Sequence, residues 1–188
     1  MRDQFRCLIG FGIIIVFCPL VIIGCNGSQA VKETWQTFSN QSGGYTLNYP
    51  ISWIGFELPD GQNGDKEILG ILAMYTQDYP NVYIAQKTSN SPSLEEVIAW
   101  GESRALSSYG EPIDYEFEEP QFFEMNGRQM AQREYSVSYM QNTPIMKKDV
   151  YLINEQTMFV FTFSALPENY EEQVITFNRM IDSLELHP

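Results

Sequence analysis

The stretch Met146–Leu184, MKKDVYLINEQTMFVFTFSALPENYEEQVITFNRMIDSL, decides how this chain folds. It reads as a strand over about Met146–Ile153, a short turn at Asn154-Glu155-Gln156, a strand over Thr157–Phe163 and a helix opening near Pro167. Two strands joined by so short a turn pair antiparallel. Thr157–Phe163 is apolar on both faces, so it belongs in the middle of a sheet covered on both sides. The helix places Tyr170, Val174, Phe177, Ile181 and Leu184 at 4-3-4-3 steps, the stripe of a helix laid on a sheet.

Working outward, the upstream sequence repeats the same grammar. Trp35–Phe38 is a short strand, Gly43-Gly44 a turn, and Tyr45-Thr-Leu47-Asn-Tyr49 alternates with period two before Pro50 stops it. Ile68–Tyr75 is a second strand apolar on both faces, and Val82–Gln86 follows it. Pro59-Asp60-Gly61 and Asn63-Gly64-Asp65 mark a polar turn region. A helix is expected from Ser93, which has capping-box spacing to Glu96, to Gly110, with Leu94, Val97, Ile98, Gly101 and Ala105 on one stripe. Strands return at Ile113–Phe117 and Gln121–Met125. Asn126-Gly127 is the strongest hairpin signal in the chain, and it leads into a long strand ending Tyr135-Ser-Val137-Ser-Tyr139.

Two helices and many hairpin-linked strands give an α+β class. The expected architecture is a three-layer α/β/α sandwich, an antiparallel sheet of about six or seven strands with one main helix on each face.

The segment Gly44-Tyr45-Thr-Leu47-Asn-Tyr49-Pro50-Ile-Ser-Trp53 resembles the opening of the PsbP-like domain, where an aromatic strand ends in Tyr-Pro and Trp follows shortly. The close is similar too: Met158–Phe163, then Ser164-Ala165-Leu166-Pro167, a helix start bearing Tyr170, and Phe177, Met180, Ile181, Ser183, Leu184. The resemblance covers about Thr34 to Leu186 in its order of elements. Its motifs are structural, so what it implies directly is a fold. The family includes a photosystem II extrinsic protein, a Ran-binding nuclear-transport factor and many secreted lipoproteins, and it implies non-enzymatic binding to a larger partner. The cation-linked behaviour of the photosystem member involves His and carboxylates. Here the only histidine is His187, beside the C-terminus, so no metal role is carried over.

Residues 1–25 have a different composition. Arg2 and Arg6 precede a sixteen-residue apolar run, Leu8–Ile23, interrupted by Pro19. That is the length of a signal-peptide apolar region and short for a spanning helix. It ends in Ile22-Ile23-Gly24-Cys25, which resembles a lipobox of bacterial- or archaeal-type lipoproteins, with Ile22 where Leu is commonest. The motif implies cleavage after Gly24 and a diacylglycerol thioether on Cys25. Residues 1–24 are thus expected to be a signal peptide, 25–33 the lipidated Cys25 and a polar tether, and 34–188 the folded domain. The arginines stay inside, placing the domain on the outer face of the cytoplasmic membrane. Acyl chains at roughly 0.8 kcal/mol per buried methylene hold it there. The eight residues Asn26–Glu33 reach roughly 26 Å, enough to let the domain stand clear of the lipid.

Charge and cysteine content close off other classes. The chain carries 24 Asp plus Glu against 11 Lys plus Arg, a net of −13. Loss of Arg2, Arg6 and Asp3 with the leader leaves 9 basic against 23 acidic residues, a net of −14. Such a surface does not bind nucleic acid or anionic lipid. The cysteines are Cys7, Cys18 and Cys25, so the domain holds no disulfide framework and no Cys-based zinc site.

No P-loop, G-x-G-x-x-G or H-E-x-x-H is present. Gly101-Glu-Ser103-Arg-Ala105 matches the nucleophile elbow only in letters, since Ser103 lies inside a continuous helical pattern and the only base, His187, is expected in a frayed tail. The pairs Glu95-Glu96, Glu118-Glu119 and Glu171-Glu172 read as solvated. Trp35, Trp53 and Trp100 could stack a ligand, but Tyr45, Leu47, Tyr49 and Trp53 have the spacing of core residues. Asp114, Glu116 and Glu118 alternate with Ile113, Tyr115 and Phe117, an edge strand whose charges discourage pairing with another chain and bind no cation specifically. Asn26 and Asn40 sit in glycosylation sequons. The expectation is a non-enzymatic lipoprotein without cofactor or metal that docks on a membrane-associated protein; the other reading is a small-ligand or cation-binding lipoprotein.

Overall fold

The computed structural model describes residues 33–41, 43–56, 58, 66–72, 78–107, 114–138 and 143–187. The segment expected to be a signal peptide, Cys25 and nearly all of the expected tether lie outside the described residues, as do the expected turns at 59–65. In chain order the elements are β1 (Trp35–Asn40), β2 (Tyr45–Pro50), β3 (Ile54–Phe56), β4 (Lys66–Leu72), β5 (Asn81–Thr88), α1 (Leu94–Ser107), β6 (Asp114–Phe117), β7 (Gln121–Met125), β8 (Arg128–Ser138), β9 (Ile145–Asn154), β10 (Thr157–Ala165), α2 (Pro167–Asp182) and β11 (Glu185–Leu186).

Eight strands form one antiparallel sheet in the order β3-β4-β5-β10-β9-β8-β6, with β7 also on β8. The doubly apolar β10 lies between β5 and β9, as its composition requires. Its odd and even residues divide the core. Val160 pairs with Ala85 and Tyr151, and these pack with Val97, Ile98 and Trp100 of α1. Phe161 pairs with Ile84 and Val150, and these pack with α2 and β2. The helices therefore lie on opposite faces, giving the three layers expected.

The β1-β2 hairpin does not join this sheet. It pairs with β11 in a separate three-stranded sheet that shares the α2 face, with Tyr45 edge-on to Phe159 and Phe161 at 5.4 and 5.8 Å. The strand tally is fuller than the sequence expectation because β3 and β11 have three and two residues, too short for any period to register.

Local signals act where they were read. The Glu96 N–H donates to Ser93 Oγ at 3.2 Å, while the Glu96 carboxylate accepts from Ser89 rather than closing the box. Asn126 and Gly127 both take positive φ, 53° and 74°, the pair a tight hairpin turn needs. Gly101 is where Tyr151 reaches the helix: a Cβ there would meet the ring at 2.5 Å. Phe163 stacks on Phe177 at 5.4 Å and 15°.

The C-terminal tail is a correction. His187 is held rather than frayed: its N–H donates to Gly44 O at 2.7 Å, and its carbonyl accepts from Asn154 Nδ2 at 2.9 Å. Ser183 ties the end of α2 to β2, donating to Met180 O and accepting from the Asn48 N–H.

Candidate interaction surface

The outer edge of β8 is shared by two short strands, β6 and β7, which break at Glu118-Glu119-Pro120. Pro120 has no N–H to continue a ladder. Register sets what each side chain faces: Tyr115 lies opposite Val137, Phe117 opposite Tyr135, and Phe122 opposite Ala131. Those partners belong to the α1 face, where Ala131 packs with Val97 and Trp100, and Tyr135 and Val137 with Ala105. The helix covers β10, β9 and the inner side of β8, and the rings on β6 and β7 lie beyond it. Tyr115 is 51% exposed and Phe122 58%. Tyr115, Phe117 and Tyr135 form a run of rings from edge to interior, with centroids 5.4 and 4.8 Å apart.

A buried charged cluster underlies this ledge. The Arg133 guanidinium lies over the Phe117 ring at 5.3 Å and donates from Nη1 to Glu102 Oε2 of α1 at 2.9 Å. Asp149, 1% exposed, lies across the ladder from Arg133 and accepts from Tyr151 Oη at 3.0 Å. Burial raises the Asp149 carboxyl above the usual range, against the opposing pull of Thr162, Lys147, Tyr151 and Tyr135. Burial also raises the Tyr151 hydroxyl, and the Asp149 charge adds to it. This arrangement joins α1 to the sheet through charge as well as packing. Sequence reading missed it, although Lys147-Lys148-Asp149 in the middle of a buried strand was a signal.

On the opposite face of the same edge, Asp114 and Glu116 lie opposite Ser138 and Ser136, and all of Asp114, Glu116, Glu118 and Glu119 are exposed. The Glu118 N–H extends the ladder to Glu134 O at 3.1 Å. Glu134 in turn has Lys148 at 3.4 Å as its counter-ion. Among the described residues, no group of three or more His, Cys, Asp or Glu is placed to hold a metal ion. From Ala105 to Gly127 the sequence carries six acidic residues and no Lys, Arg or His. Among the described residues, this edge is where acidic side chains and exposed aromatic rings coincide.

A groove of about 310 Å³ lies between the β7–β8 hairpin tip and β11, lined by Met125, Asn126, Arg128, Met130, Leu184, Glu185 and Leu186. The other residues singled out from sequence are structural in placement. Ser103 is exposed in mid-α1. Trp53 and Trp100 are buried and Trp35 packs against the core, with Lys87 and Arg104 over the Trp100 ring. Asn40 is buried and its side-chain oxygen accepts from the Gly43 N–H. Asn26 lies outside the described residues.

In sequence, no protein-family model and no curated protein matches the chain. Its backbone does match solved structures. Cyanobacterial PsbP from Synechocystis sp. PCC 6803 is similar at TM-score 0.67 and 15% identity, over 88% of this chain and 99% of that one. The Ran-binding protein Mog1p of Saccharomyces cerevisiae is similar at 0.51 and 12%, over 82% and 96%. A Pseudomonas aeruginosa protein of unknown function is similar at 0.50 and 11%, over 82% and 98%. These identities speak for backbone architecture alone, and the element order, the two-faced core and these matches agree: the chain has the PsbP-like fold.

Proposed function

We propose that this chain is a non-enzymatic, extracytoplasmic accessory module, held to the outer face of the cytoplasmic membrane by lipid on Cys25, that docks on a membrane-associated protein. The observation that carries the docking reading is that two large rings on the sheet edge, Tyr115 on β6 and Phe122 on β7, are left exposed on the face that also holds the Arg133–Glu102 pair. Large rings left in water next to a rigid layer are a common feature of protein interfaces. The similarity to a Ran-binding protein supports the same class of role. A binding role also accords with Ser103 lying exposed on a helix, and with His187 engaged by Gly44, Asn154 and Thr46.

Two measurements test it. Mass spectrometry of the native protein is expected to show a chain beginning at Cys25 with added acyl mass; an intact, unmodified chain starting at Met1 in the membrane fraction overturns the anchor. Pull-down with the intact lipoprotein from detergent-solubilised membranes is expected to enrich one partner, and Tyr115→Ser/Phe122→Ser to lose it.

A second reading, a small-ligand lipoprotein, is supported by the 310 Å³ groove with Asn126, Arg128 and Glu185 on its rim. A thermal-shift screen separates the two: a stabilising compound whose effect vanishes in Leu186→Trp favours the ligand reading.

A further inference from the structure

We infer that the β6 edge receives an extended, basic segment of the partner protein by strand addition. The inference rests on the docking reading and names the chemistry of its occupant. In the sheet order β6 is terminal, and among the described residues no strand lies outside it; its carboxylates discourage pairing with an acidic chain but not with a basic one. A strand added there alternates its side chains across the two faces already described. On one face it meets Tyr115; on the other it meets Asp114 and Glu116. The segment that fits therefore alternates Lys or Arg with apolar residues.

Charge chooses among the possible occupants. The run from Ala105 to Gly127 holds six acids and no base, and Arg133, the cation over the Phe117 ring, is already paired with Glu102. A second copy of this chain would set Asp114 and Glu116 against their own kind, and an anionic membrane is repelled for the same reason. A basic segment gains on both counts: its charges are met at Asp114, Glu116 and Glu118, and its apolar side chains cover Tyr115. The break at Glu118-Glu119-Pro120 limits the pairing to a short segment.

The test uses the full chain in non-ionic detergent and three synthetic peptides: one alternating Lys with Val and Thr, the same peptide with Glu for Lys, and the Lys peptide with alternate backbone amides N-methylated. The Lys peptide is expected to bind with amide shifts confined to 114–125, and the other two to bind at least about tenfold more weakly. Glu116→Lys/Glu118→Lys is expected to weaken the Lys peptide by about tenfold or more. Equal binding of the N-methylated peptide, shifts centred elsewhere, or no binding of the Lys peptide overturns strand addition. Photo-crosslinkers at Tyr115 and at Ile175, which is exposed on α2, used in native membranes, separate strand addition from docking as such. A partner captured from 175 and not from 115 overturns the inference while leaving docking standing. No partner from either position, with an empty pull-down, overturns the docking reading itself.

Discussion

The two faces of the central sheet solve burial differently. The α2 face is closed mainly by rings, Phe159, Phe161 and Phe163 packing against Tyr45, Tyr170 and Phe177, with the buried Lys148 paired to Glu134 toward its edge. The α1 face is mixed: Val160, Tyr151 and Ala131 are apolar under Val97 and Trp100, and Tyr135 and Val137 under Ala105. Toward the edge it buries Arg133, Lys147 and Asp149. Charges are tolerated there because α1 brings Glu102 to Arg133, and because Tyr151 donates to Asp149. The lesson is that the helix on the polar face acts as counter-charge as well as lid. The edge beyond it can then stay exposed and available for recognition.

Removing a ring from the α2 face is the strongest way to test this contrast. Phe177→Ala is expected to cost about 3–5 kcal/mol in denaturant unfolding, because a fully buried ring leaves a cavity. A loss near zero would place α2 on the wrong stripe. On the α1 face, Arg133→Ala is expected to cost about 2–4 kcal/mol, since it removes a buried side chain packed on the Phe117 ring, and Glu102→Gln only about 1, since Gln keeps an amide oxygen that can accept from the Arg133 guanidinium. Equal costs would mean that the pair is not anchored by the buried partner.

The pH dependence sharpens the same point. Burial raises the Asp149 carboxyl, so folding takes up a proton there. The stabilisation is complete below the unfolded carboxylate value and is lost as pH rises through the folded one. Asp149→Asn, which stays neutral, is expected to gain thermal stability relative to the parent as pH rises from about 4 to about 8. A difference independent of pH would break this reading. At the smallest scale, Tyr115→Ser is expected to change stability by less than about 0.5 kcal/mol, since its ring is half in water. Calorimetry with Ca²⁺ is expected to show no micromolar site; a saturable site removed by Glu116→Gln would make the acidic edge a cation site instead.

Much of this fold was legible because its signals are local. The alternation of Tyr45, Leu47 and Tyr49, the doubly apolar β10, the Asn126-Gly127 turn and the 4-3-4-3 stripe of α2 each reflect one element meeting one surface. The surface itself was half legible. Asp114, Glu116 and Glu118 were readable as an acidic edge, since the period of a strand places charge on one side. The aromatic ledge was not, since the exposure of Tyr115 and Phe122 depends on how far α1 extends across the sheet.

The sequence by itself determined the class, the antiparallel pairing of hairpin neighbours and the two helices, because those follow from periodicity and turn chemistry within a few residues. Only the tertiary structure decided which sheet β1 and β2 join, that His187 is clamped by Asn154 from 33 residues away, and that Arg133 finds Glu102 across 31. Pairings of that separation leave no mark in local pattern. They are selected by the packing of whole layers, where a buried charge must find whichever counter-charge the fold brings within reach.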